Sequence, residues 1–243
     1  MKQNIFKNFK YFTLLYLLVL VIDTFVKNSD YKYSLRYITK PLLVVLLIVF
    51  FLINNKEKYK SGFCLVLGAY LLFFLGDILL IGNDTKLKFA IGGTFFGLAK
   101  VLLSIRFTNT QDFEIKKLLP FLAFCFVYMS VIMLFIYNNL KLYFIPSLCY
   151  LLVVMMMGQF AYLRKKEVNN TSYYLVLFGV FFSMLSDGIT FLKVFYDSKI
   201  LYHTITIMSF YAISQFLIVV GIVKETSSLT KLKLQRVKSK TDK

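Results

Sequence analysis

Read along the chain, apolar residues come in long blocks separated by short polar breaks. Eight blocks of roughly 17 to 24 residues can be drawn, each long enough to cross the hydrocarbon of a bilayer at about 1.5 Å per residue. They run approximately over 9–26, 37–54, 61–82, 87–107, 117–137, 141–163, 172–195 and 201–222. Backbone groups in lipid must be satisfied internally, and runs this long and uninterrupted give helices rather than barrel strands. The expected fold class is all-α: a polytopic integral membrane bundle of eight transmembrane helices, one domain over 1–223 with a basic tail over 224–243.

Two of the blocks are broken by a carboxylate in the same place. "LVLGAYLLFFLGDILL" at 65–80 carries Asp77, and "LVLFGVFFSMLSDGIT" at 175–190 carries Asp187, 110 positions later. A shift of 110 lays the first four blocks (about 9–107) on the last four (about 117–222) with only a few residues of slippage. An internal duplication by four helices preserves orientation, so the halves are expected to be parallel repeats about an axis along the membrane normal. Asp77 and Asp187 are then expected to face each other across that axis, in the outer half of the membrane.

Composition sharpens this picture. A hydrophobic fraction of 58% and a mean hydropathy of +0.70 exceed what a soluble surface allows. The net charge of +17 resembles a nucleic-acid signature only until the lysines are placed. They gather in alternate breaks: Lys2, Lys7 and Lys10; Lys56, Lys58 and Lys60; Arg106, Lys116 and Lys117; Arg164, Lys165 and Lys166; and seven more from Lys224 to Lys243. The opposite breaks hold fewer, chiefly Lys27, Lys32, Arg36, Lys86, Lys88, Lys141 and Lys199. The positive-inside rule therefore puts both termini in the cytosol, with a bacterial plasma membrane as the expected address. The partner that this charge implies is anionic lipid, with no nucleic acid. Cys64, Cys125 and Cys149 fall inside blocks and form no ligand pair, so neither a disulfide nor a metal site is expected. The first block has the basic start of a signal peptide but no A-x-A-like cleavage site, and is read as a retained helix.

Small residues mark the faces that pack together in lipid. Gly179, Ser183, Ser186 and Thr190 form one stripe with Asp187 beside it; Gly93, Gly97, Lys100 and Ser104 form a second, and Thr204, Met208, Tyr211 and Gln215 a third. The polar groups thus converge on an interior, which Tyr150 shares. Six charges are embedded or nearly so: Asp23, Lys40, Asp77, Lys100, Asp187 and Lys193. A charge deep in a bilayer costs at least about 2.5–3.5 kcal/mol, so it is functional or paired by default. Asp23 and Lys193, near block ends, are read as snorkelling to the interface. Asp77 and Asp187 are deeper and are the candidate site. Lys100 is either a counter-ion for one of them or a substrate contact.

Several segments together resemble the YhhN or lysoplasmalogenase family of eight-helix membrane proteins: "KPLLVVLL" at 40–47, "FLGDILL" at 74–80 followed by "FAIGGTFF" at 89–96, and "SMLSDGITF" at 183–191 followed by "FYAISQFLI" at 210–218. The resemblance spans Lys40 to about Val223, and Lys40, Asp77, Tyr150, Asp187, Tyr211 and Gln215 match family positions. One departure is plain. Where many members carry a His after the "AIG" glycine and then a Tyr, this chain reads "FGLAKVLLSI", with Ala99 or Lys100 in place of the His and Leu102 or Leu103 in place of the Tyr.

The resemblance implies hydrolysis of the vinyl ether of a lysoplasmalogen, a lysophospholipid, to a fatty aldehyde and a glycerophospho-amine, with no cofactor. That reaction begins with protonation of carbon to an oxocarbenium-like cation. It needs an acid that keeps its proton near neutral pH, and burial of a carboxyl beside a second carboxylate favours that form. The second carboxylate can stabilise the cation and activate water, as in paired-carboxylate glycosidases. Asp77 and Asp187 are the expected catalytic pair, Lys40 a phosphate contact, and Tyr211 and Gln215 groups that orient the ether or the water.

Two other classes fit the same residues. A non-catalytic lipid-binding paralogue would account for the missing His. A proton-coupled transporter would account for parallel repeats with buried acids and lysines, although Pro41, Pro120 and Pro146 lie near block ends and mark no pair of broken helices. Proton-dependent uptake into liposomes separates a transporter from a hydrolase.

Overall fold

The structure, a computed structural model, describes residues 5–28, 34–57, 59–81, 85–108, 115–196 and 203–225. Most of the basic tail therefore lies outside the described residues. Those residues form helices α1 (Phe9–Asn28), α2 (Arg36–Asn54), α3 (Lys60–Leu79), α4 (Lys86–Phe107), α5 (Ile115–Leu140), α6 (Phe144–Leu163), α7 (Asn170–Phe195) and α8 (His203–Val223), and no strand.

Seven helical stretches are long and apolar enough to cross a membrane, which makes this a multi-pass membrane protein. One of them, Leu118–Leu163, is 46 residues long, far beyond the roughly 20 residues of a single crossing. It doubles back at a short 3-10 turn, Lys141–Tyr143. There Lys141 takes a φ of 46°, and α5 packs against α6.

The neighbours of each helix follow from where small residues stand. α3 packs on α4 and α7 on α8, with glycine at both crossings. A Cβ on Gly76 would lie 2.5 Å from the Phe96 ring and 3.3 Å from the Gly92 carbonyl oxygen. A Cβ on Gly179 would lie 2.8 Å from Ile218 and 3.0 Å from the Ser214 backbone oxygen. Because backbone cannot move aside, Gly179→Val is expected to lower stability by about 1–3 kcal/mol through overpacking. Thermal unfolding in detergent measures this, and an unchanged midpoint would contradict the close crossing.

The main core joins α1, α2, α3, α4, α6, α7 and α8 through residues such as Phe12, Leu47, Phe73, Leu103, Met157, Val180 and Val219. Phe12 stacks on Phe50 with ring centroids 4.1 Å apart. α5 joins through separate apolar clusters, one of them formed by Ile132, Ile136 and Leu140 against Leu151, Phe191 and Phe195.

One end of the bundle is tied by charge. Arg106 of α4 bridges Glu57 and Glu225, Arg164 also reaches Glu225, and the Arg164 guanidinium lies 4.7 Å from the Phe107 ring centroid. Asp23, read from the sequence as snorkelling, corrects that expectation: it is fully buried. Thr39 of the neighbouring α2 donates a hydrogen bond to its Oδ1 at 2.6 Å, so one carboxylate oxygen is held inside the bundle, while Oδ2 is buried without a hydrogen-bond partner.

Candidate functional site

At the end of the bundle opposite the Arg106 network, side chains of α1–α4 and α6–α8 enclose a cavity of about 410 Å³. Its wall carries both aspartates, Asp77 and Asp187, along with Lys40, Tyr150 and Tyr211. Each aspartate is held by one lysine and one tyrosine from other helices.

Asp77, in the last turn of α3, is fully buried. Lys40 Nζ on α2 lies 3.0 Å from its Oδ1 and donates to its backbone carbonyl at 3.3 Å. The Tyr211 hydroxyl on α8 donates to Oδ2 at 2.8 Å. The Lys40 contact to Oδ1 is an ion pair without hydrogen-bond alignment, because Oδ1 has no hydrogen-bond partner.

Asp187, on α7, is paired through Oδ2 with the Lys100 ammonium of α4. Its Oδ1 accepts a hydrogen bond from the Tyr150 hydroxyl of α6 at 2.9 Å. Lys100 Nζ also stands 5.1 Å from the Tyr150 ring centroid, within reach of a cation–π contact. In contrast to Asp77, both oxygens of this carboxylate have a donor.

The two centres are built alike with lysine and tyrosine exchanged. Lys40 precedes Asp77 by 37 residues, and Tyr150 precedes Asp187 by 37. The remaining partner of each aspartate comes from the other half of the chain: Tyr211 for Asp77 and Lys100 for Asp187. A charge in a bilayer interior must be paired or solvated, and this interlock pairs both acids while tying α2, α3 and α8 together on one side and α4, α6 and α7 on the other.

Lys40 stands on the cavity wall, buried against α3 and paired with Asp77. Lys100 is a counter-ion: it is 1% exposed, bonded to Asp187, and off the cavity wall. Gln215 is buried, but it too is off the wall. Its backbone oxygen accepts from the Tyr70 hydroxyl at 3.1 Å, and its side chain lies one turn further along α8 than Tyr211. Ala99 and Leu103, two of the positions where the family resemblance expected His and Tyr, are packed in the core with no exposure.

The cavity also uses residues that the sequence had counted only as loop or interface charges. Lys27, Arg36 and Lys193 line it, with Lys193 half-buried in the last turn of α7. Their common signal is position, since all three occupy the end turns of helices that finish on the same side. Ser186 supports the wall by donating to the Ile207 carbonyl at 3.1 Å. Between α4 and α6 the cavity reaches the outer face of the bundle, where the lining residues Thr94, Leu98 and Cys149 are exposed. Among the described residues no three His, Cys, Asp or Glu side chains converge as a metal site.

The site is thus a chamber with acid–lysine–tyrosine centres on its wall, cations at one end and an apolar side opening. The family model that matches the chain is that of the YhhN family, over residues 35–222. No curated protein and no solved structure matches it.

Proposed function

The chain belongs to the YhhN family, and from that membership and the chamber we propose that it is a membrane hydrolase cleaving the vinyl ether of lysoplasmalogens. The observation that carries this reading is the pair of aspartate centres, Asp77 and Asp187, on one cavity inside a membrane-spanning bundle. The cavity is apolar enough along α4 and α6 to take a single hydrocarbon chain, and polar where the ether would lie.

In the proposed mechanism the Lys40–Asp77 pair supplies the proton. The pair shares one proton between its ammonium–carboxylate and amine–carboxylic acid forms, and Asp77 donates from the second, leaving carboxylate beside amine until the proton returns. The proton passes to the vinyl carbon remote from oxygen, and positive charge develops on the carbon bonded to the ether oxygen. Asp187, paired with Lys100 and hydrogen-bonded by Tyr150, stabilises that charge. Water adds to the cation and returns its surplus proton to Asp77. The hemiacetal then collapses as its hydroxyl proton moves to the departing glycerol oxygen, leaving aldehyde and glycerophospho-amine. Tyr211 and Tyr150 orient the two carboxylates.

The membrane arrangement belongs to the same proposal. The bundle crosses eight times, counting α5 and α6 separately, as two parallel repeats with both termini cytosolic. The reversal at Lys141 and the equal 37-residue spacings of the two centres support it.

The test is release of fatty aldehyde from a lysoplasmenyl lipid by the purified protein, with the ester-linked lysolipid as control. Aldehyde from the vinyl ether alone is expected. A folded protein that binds the lipid and releases none would instead be the lipid-binding paralogue, with the Lys100 departure as its cause.

A further inference from the structure

The chamber has two unlike sides. Among the described residues, every charged side chain that lines it stands on α1, α2, α3 or α7, Asp77 and Asp187 included. The wall given by α4 and α6 carries no charge, and is built from residues such as Ala90, Gly93, Leu98 and Val153. Thr94, on the same wall, donates its hydroxyl to the Ala90 carbonyl at 2.9 Å, so that polar group is satisfied within its own helix.

The uncharged side is also the open one. Thr94, Leu98 and Cys149 line the chamber and are exposed on the outside of the bundle. Thr94 and Leu98 follow Lys86, the first residue of α4, by eight and twelve residues, about 12 and 18 Å along the helix axis. In helices apolar enough to span a membrane, that depth puts the opening against hydrocarbon rather than headgroups or water. Just inside it is free space. A Cβ on Gly93 meets nothing within 4 Å, whereas one turn further a Cβ on Gly97 would lie 3.5 Å from the Tyr150 ring. The Tyr150 hydroxyl in turn holds Asp187, so the opening leads from lipid to one of the charged centres.

Size points the same way. The cavity of about 410 Å³ is near the lower end of the roughly 300–1,000 Å³ of pockets that enclose drug-sized ligands. A lysophospholipid, with its headgroup, glycerol and long chain, does not fit inside it whole. The part left outside lies either in water or in lipid, and methylenes strongly favour lipid.

We infer that the gap between α4 and α6 is a lateral window, through which the hydrocarbon chain of a single-chain lipid passes from the bilayer into the chamber and stays threaded while the polar end lies against the charged wall. The inference rests on the proposed lipid substrate and adds its route and orientation.

The experiment is photocrosslinking of the full chain in phosphatidylcholine nanodiscs with two saturated alkyl-ether lysophosphatidylcholines, which lack the vinyl group and cannot react. One carries a diazirine at the far end of its chain, the other close to the ether. Adducts are mapped by peptide mass spectrometry with and without an excess of the unmodified alkyl-ether lipid. The excess is needed because lipid-facing surface such as Leu134 on α5, 78% exposed, takes label without competition. The far-end probe is expected to give competable adducts at Thr94, Leu98 or Cys149. The near-ether probe is expected to give them at Phe96 or Tyr211, whose rings are 5.6 Å apart beside Asp77. Gly93→Phe, which plugs the gap from inside with no backbone in its way, is expected to lose both sets while the Leu134 adducts persist.

Competable far-end adducts at Arg36 or Lys193 instead would show that the chain leaves past the charged wall, and would overturn the window. Window adducts that the excess lipid does not displace, adducts that survive in Gly93→Phe, or no competable adducts at all would overturn it equally. The readout needs no turnover. A lipid-binding protein that releases no aldehyde can pass it, and a hydrolase fed by another route fails it.

Discussion

Asp77→Asn is expected to abolish aldehyde release and also to destabilise the protein, and adding Lys40→Met is expected to reverse only the second loss. The argument starts from burial. Asp77 is fully buried and Lys40 is 5% exposed, so neutralising the acid alone leaves an ammonium in low dielectric without its counter-charge. Breaking such a pair by removing one partner costs about 3–5 kcal/mol, whereas replacing both charges by apolar or neutral groups of similar volume is often neutral. The single variant therefore cannot distinguish lost chemistry from lost fold, and the double variant can. It keeps packing, removes the orphaned charge, and still lacks the proton donor.

Turnover in Asp77→Asn/Lys40→Met is expected to fall by about 10²–10⁴, the usual contribution of a positioned acid–base group, while its unfolding midpoint returns toward wild type. Asp187→Asn with Lys100→Met makes the parallel comparison at the second centre. Lysoplasmenyl turnover that recovers together with stability in either double variant would show that the acid concerned is structural. In that case the centre is a paired buried charge and no more, and the hydrolase reading loses the residue.

The two centres also show what a sequence of this kind reveals and what it hides. Asp77 and Asp187 stand out because a carboxylate in an apolar run is costly, and Lys100 and Tyr211 because spacings of three and four residues put them on stripes with small residues. The helix bounds follow from block length, with α5 running a few residues beyond its expected end because the chain reverses only at Lys141. Pairing was hidden. That Tyr211 of α8 reaches Asp77 of α3, and Lys100 of α4 reaches Asp187 of α7, depends on which helices are neighbours, and no local pattern states that.

Depth was hidden too. Gln215 shares a stripe with Tyr211, but one turn along the axis removes it from a chamber confined to one end of the bundle. Arg36 was concealed for the opposite reason: a basic residue at a helix end reads as a topology signal whether or not it bends inward. Asp23 misled in the same way, since its distance from the block end says nothing of the Thr39 that receives it.

The chamber itself is tested at Gly93. It lies on α4 in the stripe with Gly97, Lys100 and Ser104, and a Cβ placed there meets nothing within 4 Å. Gly93 lines the cavity, so a larger side chain can grow into open space without touching backbone. Gly93→Phe is therefore expected to fold normally, with stability unchanged or raised, because replacing a helical glycine gains up to about 1 kcal/mol of helix propensity. The same protein is expected to lose alkyl-ether lysolipid binding and aldehyde release by at least about tenfold, since a benzyl group would occupy the space a hydrocarbon chain needs.

Gly76→Ala supplies the contrast. Its Cβ meets the Phe96 ring at 2.5 Å, so it is expected to weaken the α3–α4 crossing and reduce activity only in step with folded protein. Loss of binding at Gly93 with stability intact would make the cavity the place where lipid lies. Full turnover in Gly93→Phe would mean that the chain of the substrate lies elsewhere, and the two aspartate centres would then have to be reached by a route other than the opening between α4 and α6.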